Sequence, residues 1–210
     1  MLHVKICGVR TPEDARACVL AGASSIGVNF VPASPRCVDA TTARAISRAA
    51  HAANAKAIVV GVVADLTLEA MRALVQDAEL DCLQLHGDES HETLAALLPH
   101  AYKATRIGGV ADVARARAYP GDHLLVDAKV DGALGGTGAT FDWDLVKELA
   151  AERRLTLAGG LDPANVEAAV RAVRPYCVDV ASGVEPPEKP GEKDVAKVRA
   201  FIEAARRGAV

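Results

Sequence analysis

Short apolar segments alternate along the whole chain with longer segments whose apolar residues recur at helical spacing. The short segments are rich in Val, Ile and Leu, and Ala57–Val63 is apolar throughout, which is typical of a strand buried on both faces. The longer segments begin at capping residues, as Thr11 does before Pro12, and end at glycine or proline, as at Gly22. The pattern predicts eight strands and eight helices in strict alternation.

These signals also predict the boundaries of the elements. The strands span Leu2–Cys7, Ser25–Phe30, Ala57–Val63, Cys82–Leu85, Tyr102–Ile107, His123–Asp127, Leu155–Ala158 and Cys177–Ala181. The helices span about residues 12–21, 42–53, 67–77, 90–98, 110–118, 142–152, 162–173 and 194–206. Eight such units in 210 residues favour an α/β fold, a (βα)8 TIM barrel formed as a single domain by residues 1–210. A doubly wound open sheet is the alternative, but no G-x-G-x-x-G pattern follows the first strand.

The amino-acid composition argues against two classes of binding partner, nucleic acids and membranes. The formal net charge is −3, and the chain has only three Phe, three Tyr and one Trp. It therefore offers neither a global positive charge nor many platforms for stacking bases, and we expect no nucleic-acid partner. No stretch approaches 18 uncharged apolar residues, so the sequence predicts no membrane span.

The cysteines indicate the compartment. There are five of them, widely spaced and without a Cys-x-x-Cys pair. An odd number at such spacing favours free thiols in a reducing cytoplasm over a disulfide framework. The first nine residues have no apolar core or cleavage pattern and are interpreted as a strand, so a cytoplasmic location is expected.

Residues with useful chemistry collect where the predicted strands end. Active sites of (βα)8 barrels lie at the carboxyl ends of the strands. The charged, thiol and imidazole groups predicted there are Cys7, Arg36, His86, Asp127 and Asp179. A cysteine near a strand end is more often a small buried hydrophobe than a catalyst, so the role of Cys7 depends on what lies opposite it.

Two glycine turns follow the seventh and eighth strands. Gly159 and Gly160 end one strand, and Ser182 and Gly183 follow the other. Barrels often bind phosphate in these two loops, where exposed backbone N–H groups and the start of a short helix favour an anion. Ordinary tight turns would explain each glycine alone, but the two together favour a phosphate site. A further glycine-rich loop, residues 132–138, follows the sixth strand.

Asp127 comes directly after three apolar residues, so its carboxyl should be partly desolvated. Desolvation raises a carboxyl pKa and suits a general acid, although an aspartate that only orders the next loop is the plainer alternative. Strand alternation places Lys5 on the face of Cys7, and barrel closure makes the first and eighth strands neighbours. A buried Lys5–Asp179 pair is therefore expected, either as a purely structural contact or with Lys5 also favouring the Cys7 thiolate.

Arg36 and His86 have weaker signals. Arg36 follows Ser34-Pro35 in a stiff turn, where its guanidinium could hold a carboxylate with two hydrogen bonds or simply be solvated. His86 could bond a substrate hydroxyl or be a satisfied histidine at the rim. The spacing of His86, Asp88, Glu89 and His91 is not that of a zinc protease helix, so no metal is expected.

An ordered set of motifs resembles the phosphoribosylanthranilate isomerase family of tryptophan biosynthesis. The motifs run from one end of the chain to the other and are Lys5-Ile6-Cys7-Gly8, Ser34-Pro35-Arg36, Leu83-Gln84-Leu85-His86-Gly87, Asp127 with Gly135-Gly136-Thr137-Gly138, Ala158-Gly159-Gly160-Leu161, and Asp179-Val180-Ala181-Ser182-Gly183-Val184-Glu185. Pro190-Gly191 and Lys193-Asp194 complete the set. Each motif is weak alone, whereas the ordered set is highly specific.

The resemblance implies an Amadori rearrangement of N-(5'-phosphoribosyl)anthranilate to 1-(2-carboxyphenylamino)-1-deoxyribulose 5-phosphate, without metal or organic cofactor. By the family pattern, Asp127 would be the general acid, Cys7 the general base, and Arg36 the clamp on the anthranilate carboxylate. The residues that would contact the rest of the phosphorylated small-molecule substrate are His86, Asp179, Gly159, Gly160, Ser182 and Gly183. The protein would act as a monomer or a homodimer.

Two alternative functions remain at this point. The first is another phosphosugar enzyme on the same barrel, such as a metal-dependent epimerase, but the histidines and aspartates that such a metal needs on several strand ends are not found. The second is a non-catalytic barrel that only binds a phosphorylated ligand. That protein would not need Cys7 and Asp127 to face one cavity.

Overall fold

Eight parallel strands pair in chain order and close into a barrel, with β1 hydrogen-bonded to both β2 and β8. The computed structural model describes residues 2–128 and 141–210. The glycine-rich loop 132–138, with its motif Gly135-Gly136-Thr137-Gly138, lies outside the described residues. The prediction of a (βα)8 barrel is confirmed, and the open sheet is excluded because the first and last strands pair.

The observed elements follow the predicted order. The strands are β1 (His3–Cys7), β2 (Ser25–Asn29), β3 (Ile58–Val63), β4 (Cys82–Leu85), β5 (Ala101–Ile107), β6 (His123–Ala128), β7 (Arg154–Leu157) and β8 (Cys177–Val180). The helices are α1 (Pro12–Leu20), α2 (Ala40–Ala53), α3 (Leu68–Asp77), α4 (His91–Ala95), α5 (Val110–Ala118), α6 (Lys147–Glu152), α7 (Val166–Val173) and α8 (Val195–Gly208). Two short 3-10 turns precede α6 and follow β8, at Trp143–Val146 and Ser182–Val184.

Side-chain caps account for most of the helix starts. Thr11, Asp39, Thr67, Ser90 and Asp194 each accept a hydrogen bond from a backbone N–H in the first turn of the helix that follows. Such caps satisfy donors that have no partner within the helix. The start of α2 is therefore two residues earlier than predicted, because the cap is Asp39.

Two helices are shorter than predicted for local reasons. The fourth, predicted over 90–98, ends at Ala95, because the next turn closes on carbonyls three residues back, as Leu97 does on Leu94. The seventh, predicted from about Asp162, begins at Val166. Its first residues form a turn instead, in which the Asp162 carboxylate accepts hydrogen bonds from the N–H groups of Ala164 and Asn165.

Strand alternation separates two apolar layers. Val4, Ile6 and Val126 belong to the large layer between barrel and helices. Tyr102 and Leu125 belong to a small cluster inside the barrel. Residues two apart share a face, so the odd-numbered residues of β1 and β6, which include Cys7 and Asp127, face the interior.

The amino end of the barrel is closed by a stack of rings. The rings of His3 and Tyr176 stack at 4.6 Å, and those of Tyr102 and His123 at 4.1 Å. His123 Nε2 also lies 2.7 Å from the hydroxyl of Thr156 on the neighbouring strand. Packing and hydrogen bonding together satisfy the buried polar edge of His123.

Among the described helices, none is both long enough and apolar enough to cross a membrane.

Candidate active site

A cavity of about 370 Å³ opens at the carboxyl ends of the strands. Cys7, His86, Asp127 and Asp179 all line it, from four different strands or the residues that follow them. Arg36 lines it from the loop after β2. The structure thus brings together the charged, thiol and imidazole groups that the sequence places at this rim. Within residues 2–128 and 141–210, no group of three or more His, Cys, Asp or Glu side chains is arranged to hold a metal ion.

Cys7 has room for its thiol because its neighbour on β2 lacks a side chain. The register pairs Cys7 with Gly27, and a Cβ on Gly27 would stand 2.7 Å from Cys7 Sγ. Burial raises the pKa of the Cys7 thiol, while the positive charges of Lys5 and Lys193 act in the opposite direction. Cys7 is therefore a thiol at neutral pH in the unliganded protein, with two cations nearby that favour its ionised form and the Asp179 carboxylate opposing them.

Lys5 and Asp179 form the predicted buried pair. They are opposite one another in the β1–β8 register, and Lys5 Nζ lies 2.8 Å from Asp179 Oδ2. Burial alone would lower the pKa of Lys5, but the charges of Asp179 and Cys7 raise it well above its usual value. Lys5 thus pairs with Asp179 across the barrel closure, and its charge acts to lower the pKa of Cys7 against the larger effect of burial.

Asp127 is the penultimate residue of β6, and its carboxyl lies inside the barrel. Its Oδ1 accepts a hydrogen bond of 2.8 Å from the N–H of Ala128. Burial raises the pKa of Asp127 to about 6, and the charge of Asp179 adds to the rise, while the Ala128 hydrogen bond and the charge of Lys5 oppose it. The direction agrees with the expected desolvation. Gly159 leaves space for this carboxyl, since a Cβ there would lie 2.9 Å from Asp127 Oδ1.

His86 lies beside Asp127, with its Nε2 3.8 Å from Asp127 Oδ2. Its other ring nitrogen, Nδ1, is 2.9 Å from Nε2 of Gln84, two residues earlier on the same face of β4. Burial lowers the pKa of His86 to about 4, and the positive charges of Lys5 and Lys103 add to the effect, so the ring is neutral at pH 7. Nε2 is buried and has no hydrogen-bond partner among the described residues.

The Arg36 guanidinium is already engaged in the unliganded protein. Its Nε and Nη2 each lie 2.7 Å from a carboxylate oxygen of Glu185. Lys193 Nζ, 2.6 Å from the same carboxylate, holds Glu185 from the other side. Gly8 gives the arginine stem its path, because a Cβ there would lie 2.2 Å from Arg36 Cδ. The two-bond clamp expected for a substrate carboxylate is thus occupied by a side chain of the protein.

The two predicted phosphate loops meet at the same cavity. Gly159 and Gly160 line it with positive φ angles of 89° and 61°, a conformation that favours glycine. Ser182 lines it too and begins a single 3-10 turn, shorter than the helix start that was expected. Gly183 is not among the described residues that line the cavity. It packs on the first loop instead, where a Cβ would lie 2.1 Å from the Leu161 carbonyl oxygen.

Several residues at the site were not singled out from the sequence. Gln84, Glu185 and Lys193 occur within the quoted motifs, yet nothing in their spacing assigned them partners. For Gln84 a signal existed, because alternation on β4 places it on the face of His86. For Gly27 the signal is the register of two parallel strands, which the sequence does not give. Glu185 meets Arg36 across 149 positions, between two loops.

Comparisons with known proteins agree on one family. Residues 4–204 match the family model described as N-(5'phosphoribosyl)anthranilate (PRA) isomerase. An N-(5'-phosphoribosyl)anthranilate isomerase of Myxococcus xanthus is 44% identical over 209 residues, which cover 98% of this chain and 96% of the relative. The crystal structure of phosphoribosyl anthranilate isomerase from Thermotoga maritima matches with a TM-score of 0.88 at 35% identity, covering 98% and 99% of the two chains.

A further solved structure bears on the ligand. It is a phosphoribosyl anthranilate isomerase in complex with reduced 1-(o-carboxyphenylamino)-1-deoxyribulose 5-phosphate. It matches with a TM-score of 0.86 at 34% identity, covering 98% of this chain and 99% of the other.

Proposed function

The chain belongs to the N-(5'-phosphoribosyl)anthranilate isomerase family and is an isomerase of tryptophan biosynthesis, and we propose that Asp127 and Cys7 perform its two proton transfers. The reaction is the Amadori rearrangement of N-(5'-phosphoribosyl)anthranilate to 1-(2-carboxyphenylamino)-1-deoxyribulose 5-phosphate. It needs a proton donor at the ribose ring oxygen and a proton acceptor at C2. The observation that carries the assignment is that a carboxyl and a thiol from different strands line one cavity.

Asp127 is the general acid. It gives its proton to the ribose ring oxygen as the bond between that oxygen and C1 breaks, which leaves an open-chain Schiff base. Its raised pKa of about 6 suits this role, because the buried site stabilises the neutral, protonated form. A ligand that excludes water from the cavity raises the pKa of Asp127 further, so substrate binding favours the protonated carboxyl.

Cys7 is the general base. As a thiolate it removes the proton from C2 of the Schiff base, and the resulting enolamine tautomerises to the ketose product. Lys5 and Lys193 stabilise the thiolate, since their charges lower the pKa of Cys7 against the larger effect of burial. Because Lys5 is paired with Asp179 and Lys193 with Glu185, each cation stays fixed during the proton transfer.

The two pKa directions imply that the unliganded protein rests in the opposite protonation state. At pH 7 Asp127, with a pKa of about 6, is mainly ionised, while Cys7 keeps its proton. The active form has the same number of protons, moved from sulfur to carboxyl. The pH profile of kcat/KM is therefore bell-shaped, with an acid limb near pH 6 and an alkaline limb above the usual thiol pKa.

We also propose how the phosphorylated substrate is oriented. The phosphate binds near Gly159, Gly160 and Ser182, with Gly183 shaping the second loop. The anthranilate carboxylate meets Arg36 through Nη1, because Nε and Nη2 bond Glu185. His86 and Asp179, whose Nε2 and Oδ1 atoms are buried without a partner among the described residues, contact the sugar. None of these contacts involves a cofactor, a nucleic acid or a membrane.

The test follows the loss of substrate fluorescence with the purified protein, with Cys7→Ser and with Asp127→Asn. Each variant should lose about 10²–10⁴-fold in turnover, the usual contribution of a general acid or base. Cys37→Ser and Asp122→Asn are matched controls, because both residues lie outside the residues that line the cavity. No turnover by the unaltered protein would exclude the enzyme and favour a phosphate-binding barrel; unchanged turnover in the two variants would exclude the roles of Asp127 and Cys7.

A further inference from the structure

A chain of buried hydrogen bonds connects the barrel closure to the cavity. Asp179 Oδ2 accepts from Lys5 Nζ at 2.8 Å, and Lys5 Nζ also donates to Gln84 Oε1 at 2.7 Å. Tyr102 Oη donates to the same Gln84 oxygen at 3.1 Å. Gln84 Nε2 then faces His86 Nδ1 at 2.9 Å. Gln84 is 2% exposed, so these bonds are shielded from bulk water.

The chemistry of the donors fixes the orientation of the Gln84 amide. An ammonium group has only donors, so the Gln84 atom beside Lys5 Nζ must be the acceptor oxygen. Tyr102 keeps its proton because burial, together with other nearby groups, raises its pKa well above the usual value. Both contacts therefore require the oxygen to face Lys5 and Tyr102, which leaves the NH₂ group to face His86.

The orientation of Gln84 in turn fixes the tautomer of His86. An NH₂ group donates, so the Nδ1 atom that faces it must be an unprotonated acceptor. A neutral imidazole then has its proton on Nε2. The charged groups around the ring are Lys5, Lys103, Arg106 and Asp127, and the three cations all disfavour a second proton.

His86 lines the cavity beside the acid. Nε2 and Asp127 Oδ2 are 3.8 Å apart, too far for a hydrogen bond to each other. An oxygen atom about 2.8 Å from both would complete a triangle and accept from both donors, Nε2–H and the protonated Asp127. The ribose ring oxygen has two lone pairs and no hydrogen, so it fits two donors where a hydroxyl would be constrained.

We propose that Gln84 is a positioning residue that holds His86 in its Nε2–H tautomer, so that His86 and Asp127 both donate to the ribose ring oxygen during ring opening. The second donor stabilises the charge that develops on this oxygen as its bond to C1 breaks. The proton that ends on the oxygen comes from Asp127, and His86 keeps its own. This inference rests on the proposed role of Asp127 as the general acid.

The tautomer can be observed directly, without substrate. Protein labelled with ¹⁵N-histidine is studied at pH 7 by long-range ¹H–¹⁵N correlation, and His86→Asn identifies the His86 signals. We expect Nε2 to be protonated and Nδ1 to be bare in the unaltered protein. A proton on Nδ1 alone, or on both nitrogens, would overturn the assignment whatever the activity.

Gln84→Glu keeps the length of the side chain but replaces the neutral amide with a carboxylate, which faces both Lys5 and His86. It keeps an oxygen for Lys5 and Tyr102 but replaces the NH₂ donor with an acceptor, so Nδ1 takes the proton and Nε2 becomes bare. Loss of one donor to a developing oxyanion costs about 10²–10³-fold in kcat, and we expect a loss of this order. A role limited to stability would leave both kcat and the protonation of Nε2 unchanged.

Tyr102→Phe is the matched control. It removes the other donor to Gln84 Oε1 and leaves Lys5 to hold the amide, so the tautomer should persist and kcat should change less than about twofold. Gln84→Met, which has no donor and only a weak thioether acceptor, provides a second variant if the buried carboxylate of Gln84→Glu prevents folding. Across these variants kcat should follow the protonation of Nε2. Loss of kcat with Nε2 still protonated would overturn the proposal.

The outcomes also separate this inference from the proposed function. If Asp127→Asn keeps full turnover, the acid is wrongly assigned, while the NMR result on His86 still stands or falls by itself. If Asp127→Asn is inactive but Nδ1 holds the proton of His86, the acid stands and the role of Gln84 is excluded.

Discussion

The two ends of the barrel each bury a histidine, but the two histidines differ in their hydrogen bonding. At the amino end His123 stacks on Tyr102 and bonds Thr156, whereas at the carboxyl end His86 leaves Nε2 without a partner among the described residues. Burial lowers the pKa of both histidines to about 4. Burial thus has a similar effect on the two histidines, and they differ in whether Nε2 has a hydrogen-bond partner.

The difference indicates that the two ends of one sheet have different functions, ligand binding at the carboxyl end and stability at the amino end. This is the division between the two ends. Unsatisfied buried polar atoms cost stability, so they persist where a ligand will use them. Asp179 Oδ1 is a second such atom at the carboxyl end. The amino end, where the rings pack on each other, contributes to stability, as is general for the bottom of (βα)8 barrels. Changes at the two ends should therefore separate activity from stability.

Of the changes that separate the two ends of the barrel, Gly27→Ala is expected to have the largest effect on activity. The new Cβ would lie 2.7 Å from Cys7 Sγ and 3.1 Å from Cys7 Cα, so the thiol must move from its position in the cavity. A displacement of about 1 Å costs on the order of 10²-fold in kcat. Steady-state kinetics with the fluorescence assay would measure this, with the β3 variant Ile58→Val as control because Ile58 is partly exposed outside the cavity. Full activity of Gly27→Ala would show that the position of Cys7 is not critical.

The converse change is Tyr176→Ala at the amino end. Tyr176 stacks on His3 and meets the edge of His123 at 5.9 Å. Its loss should lower the free energy of unfolding by about 3 kcal/mol, as for other large-to-small changes of aromatic residues, and leave kcat within about twofold at 25 °C. Urea unfolding and the activity assay on the same preparation test both halves. A large loss of kcat in a folded variant would contradict the separation of the two ends.

The acid side of the stability profile should depend on His123. Its folded pKa of about 4 is below that of the unfolded chain, so its contribution is fully present above about pH 6.5 and is lost as the pH falls towards 4. His123→Gln retains a donor for Thr156 but does not titrate. The variant should lose about 3 kcal/mol less than the unaltered protein between pH 7 and pH 4. Urea unfolding at both pH values provides the comparison, and parallel losses would exclude the burial of a neutral His123.

The smallest effect is expected on the outer surface. Arg48 and Glu79 form an exposed ion pair between α2 and the residues after α3. Such pairs contribute little because water and salt screen them. Arg48→Gln should leave both the midpoint of urea unfolding and kcat unchanged. A clear change in the midpoint of urea unfolding or in kcat would show that the outer helices also contribute to stability or activity.

The sequence predicted the parts of the molecule that depend on periodicity. Alternation along β1 and closure of the barrel were enough to pair Lys5 with Asp179, and burial of the preceding apolar residues was enough to predict the direction of the Asp127 pKa. Contacts between loops were not predictable in this way. The Arg36–Glu185 pair joins two loops whose paths the apolar pattern does not specify.

The pattern of apolar positions also could not predict the register of the strands or the direction of side-chain hydrogen bonds. Gly27 matters only because it pairs with Cys7, which requires the stagger of two parallel strands. Gln84 matters only because its amide has one possible orientation between Lys5 and His86. In each case the residue type is visible in the sequence, but its partner depends on the closed barrel.

The stability of Asp127→Asn at two pH values tests the division between the two ends most directly. The folded pKa of Asp127, about 6, is above that of an unfolded aspartate, so its stabilising contribution is present below about pH 4 and is lost as the pH rises through 6. We therefore predict that Asp127→Asn, although inactive, is more stable than the unaltered protein by about 3 kcal/mol at pH 8 and by less than about 1 kcal/mol at pH 4. Equal stability of the two proteins at pH 8, measured by urea unfolding, would contradict the claim that the active end holds its acid at a cost to the fold.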